Sequence, residues 1–344
     1  MKDQINTRKA DHLRAIAEDP GVERGGSGFD AIRLTHRALP ELDLEDVDTS
    51  AEFMGKPLRL PLLISSMTGG DGEDILQINR NLAEAAEARG VAMAVGSQRV
   101  MFSTPDARQS FDLREHAPSA VLLSNIGAVQ LNNGLGSAEC EAAIDVLGAD
   151  GIYLHLNPLQ EAIQPEGDRN FAGLADKLGA LTLDLDVPVL LKEVGAGLGP
   201  EDVQLGLEAG IRHFDLAGRG GTSWSRIEYH RRLDDADTLG LVFQDWGRTT
   251  VESLQACAPI LAASKEPTTL IASGGIRNGI DMAKAMILGA DICGIAAPFL
   301  AAAQRSSEAV IDTIDQIHRE FSTALFLLGC SDCKTLRGNI GLVL

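Results

Sequence analysis

The run Gly151-Ile152-Tyr153-Leu154-His155-Leu156-Asn157 decides how this chain is read. Its apolar, β-branched and aromatic opening is that of a buried strand. Asn157-Pro158 then breaks the run with a turn signal. Directly beyond come Gln160, Glu161, Pro165, Glu166 and Gly167, so one imidazole, two amides and two carboxylates crowd a single strand exit. His155 alone reads as a satisfied core histidine. Five such groups at a strand exit read as a site, because α/β folds place their chemistry there.

Working outward, the same beat recurs. Strand-like runs fall at 61–66, 91–95, 120–124, 151–156, 188–192, 212–216, 269–272 and 291–295. Amphipathic segments of helical period separate most of them, among them 74–89, 137–147, 200–209 and 279–288. Gly90, Gly148, Gly210 and Gly289 stand where a helix leaves through a left-handed residue. Strand-helix alternation implies parallel pairing with right-handed crossovers. Eight such units predict an α/β fold, a closed (β/α)8 TIM barrel over 61–344, close to the roughly 250 residues the architecture commonly takes. Residues 1–60 form an N-terminal extension packed on the barrel, with 2–17 open to helix formation and the glycine-rich stretch 21–28 expected to be flexible. The interval 218–247, after strand six, is an inserted loop long enough to serve as a lid.

Composition agrees. Of 344 residues, 44% are hydrophobic and 23% charged, which supports a sizeable core. Aromatics are 4% and glycines number 36, favouring an aliphatic barrel with tight turns over an aromatic sandwich. No apolar run approaches the roughly 20 residues of a membrane span, and the polar N-terminus is not a secretory signal, so a cytoplasmic location is expected. A net charge of −19 disfavours nucleic acid and anionic membranes, so any anionic substrate needs a local cluster of cations. The five cysteines, including the lone Cys330/Cys333 pair, suggest no disulfide framework or zinc site.

All eight predicted exits are small, polar or cationic, and in a barrel they share one rim. Ser273-Gly274-Gly275-Ile276-Arg277, after strand seven, and Gly294-Ile295-Ala296-Ala297, after strand eight, read as a phosphate site, with Thr222 able to add a hydroxyl. Lys192, at the end of strand five, is either a structural partner of Glu193 or another carboxylate, or a cation placed to stabilise charge on a ring such as a flavin. Met67 to Gly70, Ser97 and Asn125 supply amides and small polar groups suited to that ring.

Taken together, Arg8-Lys9-x-x-His12, Ser66 to Gly70, Gly96 to Arg99, His155 to Gly167, Lys192 to Gly195, Gly220-Gly221-Thr222 and Ser273 to Arg277 resemble the type 2 isopentenyl-diphosphate isomerases. The resemblance is collinear over residues 7–330. It implies an FMN-dependent barrel enzyme interconverting isopentenyl and dimethylallyl diphosphate. It further implies Mg²⁺, flavin reduced through NADPH or another reductant, and a homo-oligomer, a tetramer or octamer. By this resemblance FMN is held by Met67, Thr68, Gly69, Ser97 and Asn125 on one side. Lys192, Thr222, Gly274, Gly275, Arg277, Ala296 and Ala297 hold it on the other. The diphosphate falls to Arg8, Lys9, Ser97, Arg99, His155, Asn157 and Gln160, with Glu161 on Mg²⁺. Gln160, Lys192 and His155 are the candidate catalytic residues. Trp224 and Glu228 are left open because relatives vary there, and Cys330/Cys333 receive no role.

Moving a double bond requires adding a proton at one carbon and removing one from another, through a carbocation-like state. Cys140, Cys257, Cys293, Cys330 and Cys333 all avoid the predicted exits, so no thiol acid is expected at the mouth. Reduced flavin is therefore expected to act as acid and base without net redox, with Gln160 orienting the substrate. Two other readings stand beside this one. A hydroxy-acid oxidase or dehydrogenase needs a histidine base and an arginine clamp near the sixth and seventh exits, where His213 and His230 are badly placed. A non-catalytic flavin carrier does not need Gln160 or Glu161.

Overall fold

The computed structural model describes Ala15 and residues 18–67, 69–231 and 236–344. Arg8, Lys9, His12 and Thr68 therefore lie outside the described residues.

A two-residue turn opens the ordered part of the sheet structure. β1 (Ala51–Phe53) and β2 (Lys56–Leu58) pair antiparallel, joined through Met54 and Gly55 at φ 51° and 71°. Two successive positive φ values are what a primed hairpin turn requires. Eight parallel strands then close into a barrel: β3 (Leu62–Ile64), β4 (Ala92–Ala94), β5 (Leu122–Gly127), β6 (Gly151–Leu156), β7 (Val189–Glu193), β8 (His213–Asp215), β9 (Thr269–Ser273) and β10 (Ile292–Ile295). Each pairs with the next in chain order, and β10 closes on β3. The strand expectations hold within a few residues at each end.

Helices follow the expected rhythm at Glu73–Arg89, Ser137–Leu147, Pro200–Glu208 and Gly279–Ile287. Gly90 and Gly148 leave their helices at φ 59° and 61°, the left-handed exit that only glycine adopts at little cost. One unit departs from the rhythm. Between β4 and β5 the chain forms two 3-10 stretches, Gln98–Phe102 and Pro105–Phe111, because Pro105 lacks the N–H needed to continue the first.

Two apolar layers hold the fold. The larger lies between the strands and the outer helices, and the smaller fills the barrel interior with Leu63, Leu123, Leu190, Ile271 and Ile292. Phe53 and Leu58 of the hairpin belong to this inner cluster and are 2% and 3% exposed, so the hairpin plugs the interior. Phe53→Ala is expected to cost about 3–5 kcal/mol, the usual penalty for emptying a buried aromatic site, measured by urea unfolding.

The stretch 21–28 is not the flexible connector expected. Ser223 N–H donates to Val22 O at 2.8 Å, Arg24 N–H donates to Gly221 O at 3.1 Å, and Glu23 bridges to Thr222. Gly28, at φ 91°, lets this stretch pass close to Val251, whose Cβ a side chain there would meet at 2.8 Å. The inserted loop is likewise structured, carrying helices at Trp224–His230 and Leu239–Val242. Among the described residues no helix is long and apolar enough to cross a membrane.

Candidate functional site

The strand exits enclose a cavity of about 550 Å³ at the C-terminal mouth of the barrel. That volume falls within the usual range for cofactor-sized sites. Met67 and Gly69 line it from the β3 exit, Ser97 from β4, Asn125 from β5, and His155 and Gln160 from β6. Lys192 enters from β7, Thr222 and Trp224 from the loop after β8, Gly274, Gly275 and Arg277 from β9, and Ala296 and Ala297 from β10. Three expected residues sit behind this wall. Asn157 and Glu161 are 2% and 3% exposed beside Gln160, and Arg99 is paired with Asp168 at 2.8 Å.

The β5 and β6 exits interlock through one amide. Asn125 Nδ2 donates to Ser66 Oγ at 2.8 Å and to Val95 O at 3.1 Å, so its Oδ1 must accept from His155 Nδ1 at 2.7 Å. That sets the imidazole tautomer, with a proton on Nδ1. Gln98, wholly buried, receives Ser124 Oγ and, at 3.1 Å, the Asn125 N–H.

The helix Pro158–Ile163 begins where sequence chemistry says it should, with Pro158 at its first position. Asn157 Nδ2 ties Gln160 and Glu161 together, and beyond it Gln160 reaches Glu228 and Glu161 reaches the Asp168 N–H. Gln160 Nε2 donates to Glu228 Oε1 at 2.8 Å, and its Oε1 accepts from Asn157 Nδ2 at 3.0 Å. Glu161 accepts from Asn157 Nδ2 at 2.9 Å and from the Asp168 N–H at 2.7 Å. Asp168 in turn accepts from Arg99 at 2.8 Å and Gln130 at 2.9 Å. Asn157 Oδ1 is buried with no hydrogen-bond partner among the described residues.

Glu228 is fully enclosed, one helical turn beyond Trp224; Trp224 lines the cavity, and Glu228 lies behind Gln160. Arg231 bonds Glu228 and also reaches Glu166 at 2.5 Å. The Arg231 guanidinium is held above its usual range by these two carboxylates, although burial works against it.

Lys192 does not pair with Glu193. Strand alternation turns Lys192 inward, where Nζ donates to Asp215 Oδ2 at 2.7 Å, and sends Glu193 the other way. The Glu193 carboxylate instead accepts the N–H groups of Val194, Gly195, Ala196 and Gly197 at 2.6, 2.6, 2.5 and 3.1 Å. Burial raises its pKa against those four donors.

At the β9 exit, Gly274 and Gly275 sit at φ 99° and 74°. A side chain on Gly274 would meet Gly218 O at 2.0 Å, and one on Gly275 would meet Gly220 O at 2.3 Å. These glycines therefore let two loops stack, a tighter requirement than an open turn. Thr222 Oγ and Arg277 both hold the Glu23 carboxylate, a residue sequence reasoning did not single out.

None of the five cysteines lines the cavity. Burial pushes the Cys140 thiol up to about 12 and Cys257 up to about 11, so neither is a ready acid or nucleophile. His213 is pushed down to about 4 by burial and bonds Thr269 Oγ at 3.0 Å, away from the cavity. His230 is engaged by Asp19 at 2.6 Å.

This barrel with its small-residue mouth falls in a known class. Residues 1–105 and 160–341 match the family model of FMN-dependent dehydrogenases. Similar folds include a mandelate oxidase variant (TM-score 0.64, 19% identity, 95% of this chain and 98% of that one) and a flavocytochrome b2 variant (0.70, 20%, 100% and 84%). The isopentenyl-diphosphate delta-isomerase of Paracoccus zeaxanthinifaciens is 65% identical, covering 98% of this chain and 96% of that protein. That of Hydrogenovibrio crunogenus is 54% identical over 98% of each. The chain belongs, within the FMN-dependent class, to the isopentenyl-diphosphate delta-isomerase family.

Proposed function

We infer that the chain interconverts isopentenyl and dimethylallyl diphosphate, using FMN reduced through NADPH, with Mg²⁺ on the diphosphate and no net redox. The observation carrying this reading is the Asn157–Gln160–Glu161 platform, linked to buried Glu228, with Gln160 and Lys192 lining the same cavity. A hydroxy-acid oxidase needs a histidine at the mouth from the β8 or β9 side, and the described residues offer none there.

The donor set fits FMN. Thr222 and Arg277 already hold an anion, the Glu23 carboxylate, where the phosphate is assigned, and Lys192 is a cation at the cavity floor. Bound reduced FMN would supply the acid and base for moving the proton. The chain's own groups orient the substrate, exclude water and hold charge around it: Gln160 through its fixed amide, Trp224 as an apolar wall, and His155 as a donor or acceptor of set tautomer. Glu23 competes with the phosphate for Thr222 and Arg277. Glu23→Gln is accordingly expected to tighten FMN binding by about tenfold, read by quenching of flavin fluorescence.

Mg²⁺ fits as well. Glu161 is a hard oxygen ligand, and Asn157 Oδ1, with no hydrogen-bond partner among the described residues, is a second oxygen. No group of three or more His, Cys, Asp or Glu suited to a metal occurs among the described residues, so phosphate oxygens and water complete the shell in this reading. The reading also includes a cytoplasmic homo-oligomer, tetramer or octamer, and substrate contacts from Arg8, Lys9 and Arg99.

The test is anaerobic incubation with FMN, Mg²⁺, isopentenyl diphosphate and either catalytic or stoichiometric reductant, followed by product analysis. Dimethylallyl diphosphate formed far in excess of reductant is the expected result. Reductant consumed in proportion to product would favour an oxidoreductase instead.

A further inference from the structure

The floor of the mouth contains a charged group that the reading above leaves unused. Tyr153 on β6, Lys192 on β7, Asp215 on β8 and Ser273 on β9 converge there, and Lys192 and Asp215 are register partners. Asp215 is completely enclosed. Three donors meet its carboxylate: Lys192 Nζ at 2.7 Å, Tyr153 OH at 3.1 Å and Ser273 Oγ at 2.5 Å. Beneath lies the apolar barrel interior, including Leu123, Leu190 and Ile271. Lys192 and Ser273 line the cavity, whereas Asp215 and Tyr153 do not.

Burying a carboxylate in such a place is expensive, and well-packed apolar residues often stabilise a core as well as an ion pair does. Stability alone gives this pair little justification. The lysine gives it one. Lys192 has a flexible four-carbon stem, so its ammonium needs a partner to hold it in one place. Nζ also meets the Ser273 hydroxyl at 3.3 Å and the Tyr153 ring at 5.6 Å from its centroid, neither carrying a full charge, while His155, the register partner of Lys192 on β6, bonds Asn125 through Nδ1. Glu193 is committed to its own loop amides, and His213 to Thr269.

We propose that Asp215 is the positioning residue for Lys192: its carboxylate, aimed by Tyr153 and Ser273, fixes the ammonium at the cavity floor. The proposal rests on the flavin reading and deepens it. A fixed cation favours a ring that gains negative charge on reduction over the neutral oxidised ring. Asp215 then sets how easily the cofactor is reduced without touching it.

The test is the flavin midpoint potential of the holoenzyme, by dye equilibration, in the wild type, Asp215→Asn, Lys192→Met and the double variant. Asp215→Asn is expected to lower the reduced-to-oxidised ratio at a fixed dye potential by about tenfold, or about 30 mV for a two-electron couple. A merely structural role predicts no shift, and a direct field from the carboxylate predicts a rise. Either result overturns the proposal. The double variant carries neither buried charge, so it keeps the question open to measurement should Asp215→Asn not fold. Its potential must equal that of Lys192→Met, because Asp215 acts through the lysine, and a difference overturns the proposal. Failure of the wild type to take up FMN would overturn the flavin reading and this proposal together. Uptake with an unshifted Asp215→Asn potential would overturn this one alone.

Discussion

Glu228→Gln is expected to lower anaerobic turnover by about 10²–10⁴, the scale of a lost acid-base or orienting partner in the transition state, while leaving FMN stoichiometry unchanged. The reason is the direction of one amide. The Glu228 carboxylate, bonded to Arg231, accepts at Oε1 from the NH2 end of Gln160, which leaves Gln160 Oε1 turned to Asn157. Glutamine at 228 presents both a donor and an acceptor, and the Gln160 amide then has two competing orientations. The carboxylate also holds Arg231 against the site, and the Arg231–Glu166 pair survives the substitution. A fall confined to kcat marks a group acting in the reacting complex, whereas loss of FMN would mark a structural prop. Turnover within tenfold of wild type would remove Glu228 from the machinery. Gln160→Ala, which deletes the amide itself, is expected to lose at least as much, and the two losses should not add because the residues act as a pair.

The barrel was legible because each strand-helix unit carries its own local signature. The strands from Leu62 to Ile295 are short apolar runs, and Gly90 and Gly148 mark helix exits by a conformation other residues avoid. The β1–β2 hairpin escaped notice for a local reason as well. Its turn is Met54-Gly55, without the usual Asn or Asp, and Pro57 lies within β2. The site was legible as a set of exits but not as a set of bonds. Gln160 and Glu228 are 68 residues apart, Tyr153 and Asp215 are 62, and Glu23 and Arg277 are 254. Only closure of the sheet brings such pairs together. Asp215 did leave one trace, a carboxylate between Phe214 and Leu216 at the end of a strand-like run. A buried strand does not carry a charge without a partner; of the carboxylates open to Lys192, strand alternation turns Glu193 away and leaves Asp215.

Glu161→Gln is expected to abolish the Mg²⁺ dependence of turnover and to cut kcat/KM by about 10²–10³, comparable with removing one preorganised electrostatic contact. Glutamine keeps the shape and can still accept from the Asp168 N–H, so the fold around 157–168 should persist. What it loses is the charge that would hold a hard cation against a diphosphate. Since one carboxylate and the Asn157 Oδ1 are the only assigned protein oxygens, the wild type should bind Mg²⁺ weakly by itself and much more tightly with the diphosphate present. Calorimetric titration of Mg²⁺ with and without inorganic pyrophosphate reads this directly, independent of turnover. Equal affinities in the two titrations, or Mg²⁺-dependent turnover retained in Glu161→Gln, would move the metal elsewhere. Asn157→Leu provides the complement: it removes the unpartnered oxygen together with the donor that ties Gln160 to Glu161. It should therefore weaken metal binding and loosen the Gln160 amide at once, whereas Glu161→Gln leaves Gln160 bonded to Glu228. A larger kcat loss in Asn157→Leu than in Glu161→Gln would identify the amide network, more than the metal charge, as the group that orders the substrate for proton transfer.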